Sequence, residues 1–290
     1  MDEERIKYKL KLAEQFISEG KNLHAVQIYL NLIEETGRDQ FYFDLAQLYE
    51  EMDFIEGGKK ILSELLEYNI DNANARLFFG EYLLRNSMWL EAIEVLKTIS
   101  DLTSPTIFLI GYAYLMLNEF ELSKEYFTKY VSKDEKSELK QEANLYLAKI
   151  EYELSNFDSA LNYAKNAQII YSEFWELNLI LAKVYYSLGM FTHANSPIQK
   201  ALKSNPKDTN VLEFAGKISF QLSEYKNAEK YFSEFIEQSS EVSAEIYTLL
   251  AKSFLKQRKI EEANLFFELA LKIDPAYQQA ITGKVDLINR

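Results

Sequence analysis

Bulky and small apolar residues recur along the chain in a fixed order. The segments 156–167 (NFDSALNYAKNA), 224–235 (EYKNAEKYFSEF) and 259–270 (KIEEANLFFELA) each place a bulky residue three positions before a small one. A second series of small residues, here called the anchors, lies 31 to 37 residues apart: Ala13, Ala46, Gly80, Gly111, Ala148, Ala182, Gly216 and Ala251. Small side chains let two helices approach closely, and residues at helical spacing share one face. The pattern therefore predicts eight helix pairs joined by short turns.

A period of about 34 residues with two small positions per unit resembles the tetratricopeptide repeat. The resemblance covers about residues 6–275. In the sixth copy the matching residues are Ala182, Tyr185, Gly189, Phe191, Ala194, Ala201 and Pro206. The resemblance implies an all-α fold, an α-α superhelix in which helix pairs stack because one pair alone cannot bury its apolar face. It also implies a non-catalytic adaptor whose first helices line a concave groove for an extended peptide or a partner helix.

The repeat predicts one solenoid domain over residues 1–290. The expected units are 6–38, 39–72, 73–103, 104–140, 141–174, 175–208, 209–243 and 244–275, followed by a capping helix over 276–290. In that helix Ile281, Val285 and Ile288 are expected to face inward, with Lys284, Asp286 and Arg290 outward. A terminal helix with one polar face is what a stacked repeat needs for solubility.

Three departures from the repeat predict local irregularities. Gly57 and Gly58 fall inside a helix, where each glycine costs roughly 1 kcal/mol relative to alanine, so a soft joint is expected there. Pro197 also falls inside a helix and removes one backbone hydrogen bond, which predicts a kink or a delayed helix start. The charged stretch 133–140 (KDEKSELK) reads as a solvated linker.

The composition excludes several classes of function but does not identify a particular one. The chain has no Cys, which excludes disulfides and thiolate metal sites, and its net charge of −13 disfavours binding to nucleic acid backbones. The N-terminus lacks the features of a signal peptide, although a chain trimmed of a leader would read the same. The longest apolar run, 107–117, is shorter than the roughly 20 residues a membrane span needs. A cytoplasmic protein without membrane insertion is expected.

The charge is unevenly distributed. Residues 1–140 carry 16 basic and 26 acidic side chains, a net of −10, whereas residues 141–290 carry 16 and 19, a net of −3. The position just after each anchor is Glu14, Gln47, Glu81, Tyr112, Lys149, Lys183, Lys217 and Lys252 in chain order. The last four predict a basic stripe along the first helices, which Lys256 extends by one turn. Such a stripe favours an acidic partner; the alternative is a solvated face with helix-surface pairs to Glu153 and Glu213.

A second candidate surface is apolar. In the fourth copy Phe108, Tyr112, Leu115 and Met116 are predicted to face the groove, although the opposite face of the same helix is also apolar. Tyr152 and Tyr186, with Leu145 and Leu179, are expected to extend this surface into the fifth and sixth copies. An exposed apolar surface of this size usually marks a binding site. The alternative is that the fold itself covers it.

No enzyme motif is present. His24 and His193 lie five repeats apart and cannot share a metal, and no phosphate-binding or nucleophile motif occurs. The lysines also lack the neighbouring Asn residues of the two-carboxylate clamp found in one subtype of the family. The prediction is a scaffold without catalytic residues, cofactor or metal, whose partner is an acidic or amphipathic protein or peptide. Two alternatives stay open: self-assembly into a homo-oligomer through the apolar groove of repeats 4–6, and a docking arm of a larger assembly.

Overall fold

The computed structural model describes residues 2–133 and 139–288. Within these ranges the chain forms 17 α-helices and no β-strand. The helices are α1 Glu3–Ser18, α2 Asn22–Thr36, α3 Asp39–Glu51, α4 Ile55–Tyr68, α5 Ala73–Arg85, α6 Trp89–Lys97, α7 Ser104–Met116, α8 Phe120–Lys133, α9 Lys140–Glu153, α10 Phe157–Tyr171, α11 Trp175–Ser187, α12 Phe191–Ser204, α13 Thr209–Gln221, α14 Tyr225–Gln238, α15 Ala244–Lys256, α16 Ile260–Ile273 and α17 Gln278–Ile288. The predicted all-α fold of eight helix pairs and a terminal helix is confirmed.

The chain divides into two compact units, Met1–Asp134 and Glu135–Arg290, here called the N-terminal and C-terminal units. The first holds α1–α8 around a core that includes the fully buried Leu45, Leu65 and Tyr82. The second holds α9–α17 around clusters of alanine and larger apolar residues. The predicted linker falls mostly on 134–138, outside the described residues, and the single domain over 1–290 stays a prediction. No helix in the described part of the chain has both the length and the apolar character to cross a membrane.

The anchors are the points of closest helix approach. All five alanine anchors have no exposed surface: Ala13, Ala46, Ala148, Ala182 and Ala251. The glycine anchors go further, because a methyl group at Gly80 would overlap the Leu96 side chain and one at Gly216 would overlap Phe232. Each first helix therefore packs directly on the side chains of its second helix, as the two-anchor pattern predicts.

Every helix pair of the described chain turns through a residue with positive φ, seven positions after its anchor. Gly20 and Gly189 fill this position in two pairs, with φ of +72° and +70°. The other six pairs use Asp53, Ser87, Asn118, Ser155, Ser223 and Arg258, with φ between +56° and +64°. A left-handed conformation costs a non-glycine residue roughly 1–2 kcal/mol. Since the position is constant, the turn fixes the register of each pair even where glycine is absent.

The glycine pair and the proline that were expected to disturb helices all lie inside helices. Gly57 and Gly58 are buried in α4, and a methyl group at either would overlap the ring of Phe54 or of Tyr82. These glycines therefore allow close packing of rings against α4, and the expectation of a soft joint stays a prediction. Pro197 is buried inside α12, which begins at Phe191 as in the other repeats, so the start of that helix is not delayed.

The terminal helix α17 packs on α15 and α16 through a different face from the one expected. Ala280 has no exposed surface, and a methyl group at Gly283 would overlap the ring of Phe267. Val285, predicted to face inward, is 50% exposed. The Phe267 ring already fills the space between the helices. Only a residue as small as Gly283 can pack against this ring, so the bulkier Val285 lies on the outer side of α17.

Candidate interaction surface

In the C-terminal unit the first helices form a row in which α9 contacts α11, α11 contacts α13, α13 contacts α15 and α15 contacts α17. Each of the four lysines directly follows a buried anchor on its helix. The four side chains therefore occupy equivalent positions on successive helices of this row. All four are half-buried rather than fully exposed: Lys149, Lys183, Lys217 and Lys252. These four residues, with the aromatic rings that contact them, are called the lysine surface.

Two of the lysines form ion pairs with carboxylates of the next repeat. The ammonium group of Lys149 donates to the Glu176 carboxylate. Lys217 Nζ lies 2.7 Å from Glu213 Oε1 and 3.0 Å from Glu245 Oε2, and its side chain is only 12% exposed. Burial lowers the pKa of Lys217, but the hydrogen bonds to Glu213 and Glu245 outweigh it and leave that pKa raised. The charges of Lys149 and Lys217 are thus neutralised within the chain.

Lys183 lies between two aromatic rings. Its Nζ is 5.8 Å from the centre of the Tyr152 ring and 5.1 Å from that of Phe214, distances at which a cation attracts a ring face. Burial lowers the pKa of Lys183, against the opposing effect of the more distant carboxylates of Glu153 and Glu213. Among residues 2–133 and 139–288, no carboxylate lies within ion-pair distance of its ammonium group.

Lys252 and Lys256 line an open cavity of about 350 Å³ beside α17. Lys252 Nζ donates to Gln279 Oε1 at 3.0 Å, and burial lowers the pKa of Lys252. Lys256 is exposed at the cavity mouth. The other lining residues are Phe220, Leu255, Gln278, Gln279, Thr282, Gly283 and Asp286. The cavity combines an apolar floor with amide, hydroxyl and ammonium donors and one carboxylate, that of Asp286.

The apolar candidates are packed to very different degrees. In the N-terminal unit Phe108 and Leu115 are each only 8% exposed, and the Phe108 ring meets Phe127 and Tyr130 edge to face. The expectation that Phe108 and Leu115 form an exposed groove surface is wrong, and the rings that cover Phe108 belong to α8 of its own repeat. Met116 remains 38% exposed.

Tyr112 is half-buried, and its ring stands edge to face with Trp89 at 6.1 Å. Both residues line an open cavity of about 450 Å³ in the N-terminal unit, together with Glu81, Leu84, Arg85 and Leu109. Arg85 is already paired with Glu50, at 3.1 Å.

In the C-terminal unit Tyr152 belongs to the lysine surface and Tyr186 borders it. The Tyr152 ring lies 5.7 Å from that of Phe157, and the Tyr186 ring contacts Phe191 at 5.4 Å and Phe214 at 5.8 Å. Both tyrosines are half-buried. Tyr186 packs against Phe214, one of the two rings that face Lys183, and both tyrosines keep part of their own surface exposed.

The sequence interpretation missed the partners of the lysines. Glu176, Glu245 and Gln279 follow Lys149, Lys217 and Lys252 by 27 or 28 residues. This interval is shorter than one repeat by about two helical turns. A residue at this distance therefore lies in the first turn of the first helix of the following pair, or of the terminal helix. Phe214, which contacts both Lys183 and Lys217, was also missed.

The histidines have equivalent surroundings in their two units. His24 lies 5.1 Å from the Phe16 ring and His193 lies 5.7 Å from the Tyr185 ring, and both are exposed. Within the described ranges, no three His, Asp or Glu side chains are grouped as a metal ion would require. Aromatic packing accounts for the position of each histidine.

Paired helices, buried small anchors and a constant turn position define a helical-repeat protein. The family model of the tetratricopeptide repeat matches residues 104–136 and 244–277. The chain contains tetratricopeptide repeats over these residues, and its all-α fold is that of solved tetratricopeptide-repeat proteins. Proteins of this family are generally non-catalytic.

One curated relative is the RNA polymerase-associated protein CTR9 of Caenorhabditis elegans. It is 31% identical over 99 residues, which make up 33% of this chain. This chain spans 8% of the length of that relative.

Several solved structures share the fold. PilF of Pseudomonas aeruginosa has a TM-score of 0.60 at 15% identity, covering 74% of this chain and 97% of that one. A tetratricopeptide repeat protein of Parabacteroides merdae has a TM-score of 0.57 at 15% identity, covering 90% and 98%. The Cut9–Hcn1 hetero-tetramer of the APC/C has a TM-score of 0.57 at 17% identity, covering 96% and 55%. At these identities the likeness concerns the fold.

Proposed function

We propose that this chain is a non-catalytic adaptor that binds an acidic segment of a partner protein along the lysine surface of its C-terminal unit. One observation carries the proposal: a protein of net charge −13 places four lysines in a row on adjoining first helices, and Lys183 and Lys252 have no carboxylate partner among the described residues. Half-buried positive charges on a negative protein attract and orient acidic ligands.

The comparisons support a role in assembly. The relative from Caenorhabditis elegans is named as associated with RNA polymerase, and the Cut9–Hcn1 structure is a complex of two proteins. The proposed partner is a protein or peptide, with no nucleic acid, cofactor or metal involved. The acidic first-helix position of the N-terminal unit, with Glu14 and Glu81, would repel the same segment and so direct it to the C-terminal unit.

The test is selection of random displayed peptides on the immobilised protein, followed by affinity measurement of the selected peptides at several salt concentrations. One variant replaces Lys149, Lys183, Lys217 and Lys252 by Gln. The matched control replaces four exposed lysines of the second helices, Lys165, Lys203, Lys226 and Lys272, by Gln. Both variants change the net charge equally, and circular dichroism verifies that the surface variant stays folded without the ion pairs of Lys149 and Lys217.

We expect acidic peptides to be enriched, and their affinity to fall by about tenfold or more in the surface variant while the control binds like wild type. The salt dependence of binding should also become shallower in the surface variant, because screened charge pairs are lost. Selection of peptides without acidic excess, or equal affinity for the two variants, would overturn the proposal.

Self-assembly through the apolar surface of repeats 4–6 is less well supported. Phe108 and Leu115, two residues of that expected surface, are buried. Sedimentation velocity over a concentration series tests it, and we expect one monomeric species throughout.

A further inference from the structure

The four lysines of the surface alternate between neutralised and free charge. Lys149 and Lys217 are each paired with a glutamate of the next repeat, Glu176 and Glu245. Lys252 meets an amide, that of Gln279, at the equivalent place. The residue 27 positions after Lys183 is also an amide, Asn210. The repeat thus supplies a carboxylate to every second lysine.

Lys183 and Lys252, which lack a carboxylate of the next repeat, are the lysines that a ligand carboxylate would complete. A half-buried ammonium group without a counter-ion has lost hydration that no ion pair replaces. Lys183 has ring faces on two sides, from Tyr152 and Phe214, and these do not supply a negative charge. Lys252 has one amide contact and opens onto the 350 Å³ cavity, with Lys256 beside it.

The helix order sets the separation of these two charges. Lys183 is on α11 and Lys252 on α15, with α13 between them and in contact with both. Packed helices lie about 8–10 Å apart, so the two ammonium groups are separated by about 20 Å. An extended chain advances about 3.3 Å per residue, so this separation corresponds to about six residues.

The surface between the two lysines combines aromatic rings with carboxylates that are already paired. Phe214 lies next to Lys183, the Tyr186 ring contacts Phe214, and Phe220 lines the cavity beside Lys252. The charge of Lys217, which lies between them, is taken up by Glu213 and Glu245. An uncharged or apolar stretch of ligand fits this interval better than a run of acidic residues.

We propose that the partner segment is extended and carries two acidic residues about six positions apart, one bound by Lys183 and the other by Lys252, with uncharged residues between them. The inference rests on the proposed function and deepens it. It assigns specificity to two of the four lysines and a structural role to Lys149 and Lys217.

The test uses labelled synthetic peptides of identical composition in which two Glu residues are three, six or nine positions apart in an uncharged background containing Leu. Fluorescence anisotropy gives their affinities for the full chain and for four single variants: Lys183→Gln, Lys252→Gln and, as controls at exposed lysines of the second helices, Lys203→Gln and Lys226→Gln. Circular dichroism verifies that each variant is folded.

We expect the six-position peptide to bind on the order of tenfold more tightly than the other two. Lys183→Gln or Lys252→Gln should each weaken it by about fivefold or more and remove the spacing preference. The control variants should change its affinity by less than about twofold. Equal affinities for all spacings, or an equal loss with a control variant, would contradict the inference.

The peptide selection described above separates this failure from that of the proposed function. Acidic peptides that depend on the lysine surface but show no preferred spacing would overturn only the spacing inference. Selected peptides without acidic excess would overturn both. Acidic pairs recurring about six positions apart would support both.

Discussion

The hydroxyl group of Tyr82 donates a hydrogen bond of 2.8 Å to the carbonyl oxygen of Ile55, and its ring occupies the space beside Gly58 where a side chain would stand. Tyr82 is fully buried in α5, and Gly58 lies in the first turn of α4. The contact therefore joins the second helix of one repeat to the first helix of the next. It depends on the absence of a methyl group at Gly58.

Gly58→Ala is predicted to destabilise the protein although alanine is the better helix former. The gain in helix propensity is at most about 1 kcal/mol, whereas overpacking a filled core costs about 1–3 kcal/mol. We expect a net loss of about 1–2 kcal/mol in the free energy of unfolding, measured by urea denaturation. The control Glu64→Ala, on the exposed side of the same helix, should change stability by less than about 0.5 kcal/mol. A stabilised Gly58→Ala protein would show that the ring moves aside at no cost.

Sequence periodicity alone was sufficient to predict the repeat architecture. An anchor such as Ala182 must be small wherever two helices touch, and this requirement recurs in every unit, so the spacing is visible without a structure. The turn was equally regular but less visible. Its left-handed residue is glycine in only two of the eight described pairs, and Arg258 or Ser155 gives no compositional signal.

The candidate surface could be predicted only in part. The column of lysines followed from the anchors, but its division into paired and unpaired charges depends on side chains one repeat later, such as Glu245 for Lys217. The sequence of α7 did not indicate which of its sides packs inward, because residues on all its sides are apolar. Which side its own repeat covers, and hence the burial of Phe108, is a matter of tertiary packing.

Buried tyrosines predict a loss of stability at alkaline pH. Burial, with Asp44 and Glu14 nearby, raises the pKa of Tyr29 to about 12, and burial with Glu50 nearby raises that of Tyr82 to about 12. In the unfolded chain tyrosine ionises near pH 10, so between pH 10 and 12 the folded state binds more protons and stability falls with pH. At about 1.4 kcal/mol per pKa unit, each tyrosine accounts for roughly 2–3 kcal/mol by pH 12.

Tyr29→Phe tests this sign by denaturation at a series of pH values. The difference in unfolding free energy between wild type and variant should be constant below about pH 9 and should shift in favour of the variant from about pH 10 upward. Parallel curves over the whole range would show that Tyr29 ionises alike in both states.

Lys217 is predicted to stabilise the C-terminal unit through its two ion pairs. Lys217→Met leaves the carboxylate of Glu213 half-buried without its partner, so we expect a loss of about 1–3 kcal/mol in unfolding free energy. Since the pKa of Lys217 is raised, this contribution is present below the ordinary value of 10.5 and lost as pH rises through the raised pKa. Lys60→Met, at an exposed pair 3.8 Å from Glu64, is the control and should change stability by less than about 0.5 kcal/mol. Equal effects of the two substitutions would contradict the prediction.

Lys183→Met is predicted to act in the opposite sense to Lys217→Met, although the two lysines occupy equivalent positions one repeat apart. Methionine keeps the apolar stem between Tyr152 and Phe214 and removes a half-buried charge that has no carboxylate within ion-pair distance among the described residues. We expect stability to be unchanged or higher by up to about 1 kcal/mol, while the affinity for acidic peptides falls about tenfold.

The pH dependence of this effect has a definite sign. The lowered pKa of Lys183 means that its charge opposes folding below that pKa, and the opposition fades as pH rises to the unfolded value of 10.5, where lysine loses its proton in both states. The advantage of Lys183→Met over wild type should therefore shrink between neutral pH and about pH 10.5 in urea denaturation. A loss of more than about 1 kcal/mol at neutral pH would mean that the ring contacts of the ammonium group outweigh its lost hydration, and Lys183 would then be a structural residue rather than one held ready for a ligand carboxylate.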